Sequence, residues 1–118
     1  MATNLNDLIE AVRSFRDARD WKQFHTLRNL IASVSIEAGE MLELTQWKSD
    51  SEMLQFRDDP NEREKLEQES ADVLMYLILI SDAAGFNLLE AAKRKLDLNE
   101  RRYPVEKSRG KATKHSHL

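Results

Sequence analysis

Cysteine is absent from this sequence of 118 residues, and glycine and proline occur only three times and twice. Without cysteine the chain forms no disulfide and offers no thiolate to zinc, which suits a reducing cytoplasm. The shortage of glycine, proline and β-branched residues, beside abundant Leu, Glu, Ala, Lys and Arg, favours helices over sheets. Composition therefore predicts an all-α, cytoplasmic protein.

A long apolar run and an excess of positive charge are also missing. The longest apolar run, Val73–Ile80, has eight residues, well below the about 20 residues of a membrane-spanning helix. No basic segment followed by an apolar stretch marks the N-terminus for secretion. The net charge of −3 provides no general attraction for nucleic acid. We therefore expect neither a membrane nor a nucleic acid polymer as a partner.

The spacing of apolar residues predicts four helices, which span about residues 5–19, 25–47, 60–84 and 88–102. Asp59, the proline after it and Glu62 are typical of a capping box at the start of the third helix, which Gly85 ends. We expect residues 1–104 to form one domain, a four-helix bundle-like protomer. Residues 105–118 are polar and basic, and we expect a flexible tail there.

Two of these helices carry signs of close packing. Gly39 lies inside the second helix, where it costs up to about 1 kcal/mol relative to alanine, so we expect another element against its backbone. The third helix is apolar on every side along Val73–Ile80 and must be covered all round. Four short helices hardly cover it, which predicts a homo-oligomer, either a dimer or a tetramer of dimers. The alternative is a central helix buried within one protomer.

Acidic pairs three residues apart occur on two predicted helices: Glu37 with Glu40, and Glu69 with Asp72. Three residues is nearly one helical turn, so the two side chains of each pair point the same way. If the helices pack antiparallel, the four carboxylates face one another and repel unless a proton or a cation intervenes. Oxygen ligands without histidine or cysteine suit Mg²⁺, with Mn²⁺ as the other candidate.

Chance spacing is the alternative explanation of these pairs, because the 21 acidic residues also place Glu40 with Glu43 and Glu64 with Glu67 at this interval. A di-iron bundle is the rival metal site, but it requires Glu-x-x-His motifs, and no histidine follows these acids at the third position. The pairs therefore indicate either a magnesium site or two solvated helix faces.

Aromatic residues lie at helical spacing from the acids. Trp47 follows the first pair by two turns, and Tyr76 follows the second pair by one turn. Trp21 and His25 lie together in the first connector. Flat rings stack on nucleobases, although each ring singly is equally compatible with a protein core. One face of the fourth helix carries polar residues that either hold phosphate oxygens or form a solvated edge: Lys95, Asn99 and Arg102.

Five segments combine these residues in order along the chain: Trp21-x-x-Phe24-His25-x-x-Arg28-Asn29-Leu30, Glu37-Ala-Gly-Glu40, Gln46-Trp47-Lys48, Glu69-Ser-Ala-Asp72-Val-Leu-Met-Tyr76 and Lys95-x-Asp97-x-Asn99-x-Arg101-Arg102-Tyr103-Pro104. Together they resemble the MazG-like all-α nucleoside triphosphate pyrophosphohydrolases, most closely the dCTP pyrophosphatase branch. The resemblance covers about residues 5–107. It implies hydrolysis of a (deoxy)nucleoside triphosphate, dCTP or a modified dCTP, to monophosphate and pyrophosphate, as a house-cleaning step in the nucleotide pool.

The resemblance also implies roles for individual residues. Mg²⁺ would be held by Glu37, Glu40, Glu69 and Asp72, and without a nearby histidine Glu37 or Glu40 becomes the candidate general base. Some dCTP-preferring members carry a histidine in the first helix where this chain has Val12, so the resemblance does not fix the base. Dimers or dimers of dimers are implied, in which the neighbouring chain helps to form the pocket. The implied substrate-binding residues are Trp21, His25, Trp47, Tyr76, Lys95, Asn99 and Arg102.

Two functions outside catalysis remain open from the sequence. A catalytically inactive helical module would use the same surface to bind a nucleotide or a protein. A structural all-α dimer would carry the acidic pairs by chance. A protein without catalytic chemistry gains nothing from clustered carboxylates, which argues for the enzyme.

Overall fold

The structure, a computed structural model, describes residues 4–118, and that part of the chain is helical without any strand. This confirms the prediction of an all-α fold. Seven α-helices and a final 3₁₀ turn are present in the described residues: α1 (Leu5–Ala18), α2 (Leu27–Glu43), α3 (Asp50–Met53), α4 (Gln55–Asp58), α5 (Pro60–Ala84), α6 (Leu88–Arg102), α7 (Val105–Ser108) and the 3₁₀ turn His115–His117.

Helix α5 is the centre of the larger of two compact units, which ends at Gly85. Helices α1, α2 and α4 all pack on α5. Their packing buries one apolar side chain or more from each of these helices, and burial of apolar area is the main stabilising term of such a small unit. The core consists of Val12, Leu30, Phe56, Ile78 and Leu79.

Helix α2 is shorter than the sequence predicts. Thr26 caps its start by accepting a hydrogen bond from the Asn29 backbone N–H at 3.2 Å. The predicted continuation to Trp47 is wrong, because the chain turns after Glu43 and Trp47 adopts a left-handed backbone with φ of 63°. A left-handed residue cannot continue a right-handed helix. Glu37 and Glu40 therefore lie in the last two turns of α2.

The predicted start of α5 is confirmed, but the predicted capping box is not. The Asp59 side chain accepts hydrogen bonds from the backbone N–H groups of Asn61 and Glu62 at 2.9 and 3.4 Å. The Asp59 backbone N–H donates to the carbonyl of Gln55, and the Glu62 carboxylate pairs with Lys65 at 3.0 Å. Glu62 is therefore engaged along its own helix instead of closing the box.

The second compact unit, Phe86–Leu118, contains α6, α7 and the 3₁₀ turn. Asn87 caps α6 by accepting from the Glu90 N–H at 3.0 Å, so α6 has the predicted bounds. Within this unit the rings of Tyr103 and His115 meet edge to face at 5.5 Å. The division at residue 104 and the flexibility of residues 105–118 stay predictions.

Among the helices of residues 4–118, no single one is long and apolar enough to cross a membrane. Only α5 and α6 taken as a broken pair reach that length and composition.

Two glycines on different backbones give a matched test of this fold. A Cβ atom at Gly39 or at Gly85 would meet nothing within 4 Å, so the predicted close approach to Gly39 is wrong within the protomer. Gly85 has φ of 76° where it ends α5, which an alanine tolerates poorly. We expect Gly39→Ala to raise the free energy of unfolding by up to about 1 kcal/mol and Gly85→Ala to lower it by about 1 kcal/mol.

Urea unfolding followed by circular dichroism measures both changes. A Gly39→Ala protein less stable than wild type would contradict the open space at this position, and would indicate that another molecule packs there.

Candidate active site

Packing of α2 along α5 brings three of the four predicted acids together. One carboxylate oxygen from each of Glu37, Glu40 and Glu69 lies within 4.8 Å of the other two. The i, i+3 spacing places Glu37 and Glu40 of α2 on the face that meets α5. We call these three residues the acid cluster.

Two oxygens of the acid cluster are buried without a hydrogen-bond partner. They are Oε2 of Glu37 and Oε2 of Glu69. Removal from water raises the pKa of Glu37 from 4.5 to about 7, and the charges of Glu40, Asp72 and Glu69 add to the rise. Burial and then the charge of Glu40 also raise the pKa of Glu69. Buried and unpaired carboxylate oxygens are costly, so a proton or a cation is required here.

Asp72, the fourth predicted acid, lies one turn after Glu69 on α5 and outside the three-oxygen group. Its charge contributes to the raised pKa values of both Glu37 and Glu69, which places it electrostatically beside the cluster. Asp72 also lines a neighbouring cavity. It therefore connects the acid cluster with that cavity.

The cavity has a volume of about 130 Å³ and lies between α1, the connector after α1, and α5. Three of the predicted substrate-binding residues line it, namely Trp21, His25 and Tyr76. The ring centroids of Trp21 and His25 are 6.2 Å apart and tilted by 58°. The predicted clustering of these two connector residues is thus found beside Tyr76 of α5.

His25 presents an unsatisfied polar atom in this region. Its Nδ1 is buried without a hydrogen-bond partner among the described residues. Burial lowers the pKa of His25 below 6.5, and the nearby charge of Arg16 lowers it further. A neutral imidazole with a free nitrogen is a hydrogen-bonding group for a polar ligand.

Four predicted site residues lie in other elements of the chain, namely Trp47 in the turn after α2 and three residues on α6. Trp47 is 91% exposed in the turn after α2 and does not line the cavity. Lys95, Asn99 and Arg102 lie on α6 at intervals of four and three residues, which places them on one helix face within the second unit. Their role at the substrate stays a prediction.

Comparison with known proteins matches the MazG-like family to residues 32–118 of this chain. The dCTP pyrophosphatase 1 of Mus musculus is 42% identical over 114 residues, which are 97% of this chain and 67% of that protein. The dCTP pyrophosphatase 1 of Homo sapiens is 39% identical over the same shares. A crystal structure of a pyrophosphatase from Archaeoglobus fulgidus has a TM-score of 0.78 and 41% identity, over 88% of this chain and 95% of that one.

This chain belongs to the MazG-like family. The predicted resemblance is confirmed, and with it the prediction of a dCTP-diphosphatase-like hydrolase. The family match begins at residue 32, so it includes the acid cluster, whereas Trp21 and His25 are covered by the comparison with the individual relatives.

Apolar side chains complete the wall of the cavity in this MazG-like chain, namely Val12 of α1 and Met75 and Leu79 of α5. The sequence singles out Val12 only as the position where some family members carry a histidine. It gives no sign that Met75 and Leu79 line a cavity, because apolar periodicity does not separate a cavity wall from a core. Only the pairing of α1 with α5 reveals their place. The sequence contains no signal for that pairing.

The donor set of the acid cluster fits a hard divalent cation. Three carboxylates with two unpaired buried oxygens offer the ligand type that Mg²⁺ and Mn²⁺ prefer. Family membership and this cluster together identify the enzyme as a candidate metal-dependent hydrolase.

The raised pKa of Glu37 makes metal-free stability depend on pH. Because the folded pKa of about 7 exceeds the ordinary 4.5, the stability from protonated Glu37 is complete below about pH 4.5 and is lost as pH rises through 7. In EDTA, we expect Glu37→Gln to raise Tm above wild type at pH 8, with the difference vanishing towards pH 5. Scanning calorimetry at both pH values measures this.

Glu43→Gln is the matched control, because Glu43 is exposed at the end of the same helix. It should follow the wild-type pH profile. Parallel profiles for Glu37→Gln and wild type would contradict the repulsive cluster.

Proposed function

We propose that this protein hydrolyses (deoxy)nucleoside triphosphates to monophosphate and pyrophosphate in a Mg²⁺-dependent reaction, with dCTP or a modified dCTP as substrate. The acid cluster with its two unpaired buried oxygens is the main support for a reaction that depends on a divalent cation. The relatives are named dCTP pyrophosphatase and pyrophosphatase, which supports a cleavage that releases pyrophosphate. Such an enzyme serves to remove unwanted nucleotides from the cytoplasmic pool.

Glu37, Glu40, Glu69 and Asp72 would hold the divalent cation. When bound, Mg²⁺ neutralises the negative charge of the triphosphate and stabilises the charge that develops during transfer. The four carboxylates in turn lose their mutual repulsion. Asp72 would hold the cation on the side of the cavity that it lines.

The reaction requires a water molecule to attack the α-phosphorus. The new bond joins the water oxygen to the α-phosphorus, and the bond to the bridging oxygen of the β-phosphate breaks, so that pyrophosphate leaves. Glu37 or Glu40 accepts the water proton. Both acids lie in the acid cluster and stay candidates for this base.

The aromatic cavity would receive the base and sugar of the nucleotide. The rings of Trp21 and His25 line one side of the cavity, and Tyr76 of α5 lines the other side. Stacking on such rings contributes about 1–3 kcal/mol per base. Lys95, Asn99 and Arg102 would reach the phosphates and Trp47 the base once the assembly is complete. Tyr76 would disfavour a ribose 2′-hydroxyl.

The assembly that we propose is a homo-oligomer, a dimer or a tetramer. Leu74, Met75 and Leu77 on the central helix are 36%, 37% and 38% exposed in the protomer. An apolar groove of about 680 Å³ continues along the same helix. Exposed apolar surface of this extent favours association. The apolar residues of its lining are Met53, Leu54, Phe56, Leu66, Ala71 and Leu74, and its polar ones are Arg57, Arg63, Glu67 and Ser70.

Incubation with the eight standard nucleoside triphosphates and with 5-methyl-dCTP tests the activity. We expect monophosphate and pyrophosphate with Mg²⁺, none with EDTA, and a higher kcat/KM for dCTP than for CTP. Ion-exchange chromatography resolves the products. Glu69→Gln should lower kcat at least 100-fold, because one missing ligand weakens the cation site.

Glu64→Gln is the matched control, because Glu64 is an exposed acid on α5 whose carboxylate accepts a hydrogen bond from Gln68 outside the groove. It should keep wild-type kcat. Diphosphate with orthophosphate would mean that another bond is broken. Nucleotide binding without turnover would favour an inactive binding module.

Light scattering tests the assembly. We expect a mass of two or four times the 13.7 kDa protomer and a shift towards monomer for Leu74→Glu, since a buried unpaired charge opposes association. Leu74→Met keeps the apolar surface and should keep the mass. A monomeric wild-type protein at micromolar concentration would refute the assembly.

A further inference from the structure

Two arginines of α1 converge on one carboxylate of α5. Arg16 Nη1 donates to Asp82 Oδ2 at 2.5 Å, and Arg13 Nε donates to Asp82 Oδ1 at 2.7 Å. Arg16 is only 5% exposed, whereas the Arg13 side chain is 43% exposed. The hydrogen bond from Arg16 makes the largest contribution to holding the pKa of Asp82 below its ordinary value, so this carboxylate stays charged. Arg16 and Asp82 therefore form a largely buried ion pair between α1 and α5.

The backbone of Arg16 also holds the connector between α1 and α2, which carries the aromatic wall of the cavity, Trp21 and His25. Its carbonyl accepts the N–H of Trp21 at 3.1 Å, and the Trp21 carbonyl accepts the N–H of His25 at 3.2 Å. Asp20, which lies between Arg16 and Trp21, adopts a left-handed backbone with φ of 53°. Surrounding contacts stabilise such a conformation. The Trp21 ring also packs edge to face on Phe15 at 5.6 Å.

These bonds connect the two walls of the cavity. Val12, Trp21 and His25 form the wall from α1 and its connector, and the opposite wall belongs to α5. Arg16 contacts both, through its side chain to Asp82 of α5 and through its carbonyl to Trp21. Neither Arg16 nor Asp82 lines the cavity itself.

We propose that Arg16 and Asp82 are positioning residues for the nucleotide cavity, because their ion pair fixes the wall that carries Trp21 and His25 relative to α5. The inference rests on the proposed function. The acid cluster joins α2 to α5 and does not involve α1. The ion pair should therefore govern binding of the base, while the chemistry at the phosphate depends on the acids.

Steady-state kinetics with the preferred nucleotide test the proposal. Arg16→Met should raise KM about tenfold while kcat stays within about twofold, the signature of lost uniform binding. Arg16→Lys keeps a charge for Asp82 and should recover part of the wild-type KM. Arg13→Met is the control, because Arg13 reaches the same carboxylate from one turn further from the connector and its side chain is 43% exposed, and it should keep the wild-type KM. A wild-type KM in folded Arg16→Met would overturn the proposal.

Asp82→Asn keeps the shape of the side chain and replaces Arg16→Met in this test if that variant does not fold. It should give the same rise in KM. A fall in kcat with unchanged KM in either variant would also overturn the positioning role. Circular dichroism establishes that each variant is folded.

Trp21 fluorescence separates this proposal from the proposed function. In a Trp47→Phe background Trp21 is the remaining tryptophan, and acrylamide should quench it more steeply after Arg16→Met than after Arg13→Met. Equal quenching in the two variants would overturn the positioning role. If the wild-type protein hydrolyses no nucleotide, the proposed function fails, and the quenching result alone decides the inference.

Discussion

Carboxylates crowded at the contact of α2 and α5 are the constraint on which the rest of this molecule depends. Oxygens of Glu37, Glu40 and Glu69 lie within 4.8 Å of one another, and two buried oxygens of the cluster have no partner. Two like charges about 4 Å apart repel by about 4 kcal/mol near a protein surface. Without a metal ion, protonation of Glu37 reduces this repulsion, as its raised pKa indicates. A divalent cation would replace that proton and turn a destabilising contact into the reactive centre.

Helix α5 combines the tasks that the site requires. Its acids meet α2, Tyr76 faces the cavity, and Ile78 and Leu79 fill the core. Asp82, one turn further on, binds α1 through its two arginines. A single helix of 25 residues thus sets the spacing between Glu69 of the acid cluster and Tyr76 of the cavity. A rigid element of this kind holds reacting groups more precisely than a loop does.

Local signals account for most of the fold and for the acids. Caps at Asp59 and Asn87 and the left-handed Gly85 determined the predicted bounds of α5 and α6, because these interactions span only a few residues. The acid pairs were found because helical spacing fixes their direction. The early end of α2 and the exposure of Trp47 depend on a turn without glycine or proline. The Arg16–Asp82 pair joins residues 66 apart, and no periodicity encodes such a contact.

Binding of Mn²⁺ measured by electron paramagnetic resonance tests the acid cluster as a cation site most directly, because protein-bound Mn²⁺ loses the sharp signal of the free ion. At pH 8 without nucleotide, we expect the wild-type protein to cause a saturable loss of the free signal. The folded double variant Glu37→Gln/Glu69→Gln should leave the signal unchanged over the same range. Equal binding by both proteins, or none by the wild type, would contradict the cluster as the metal centre.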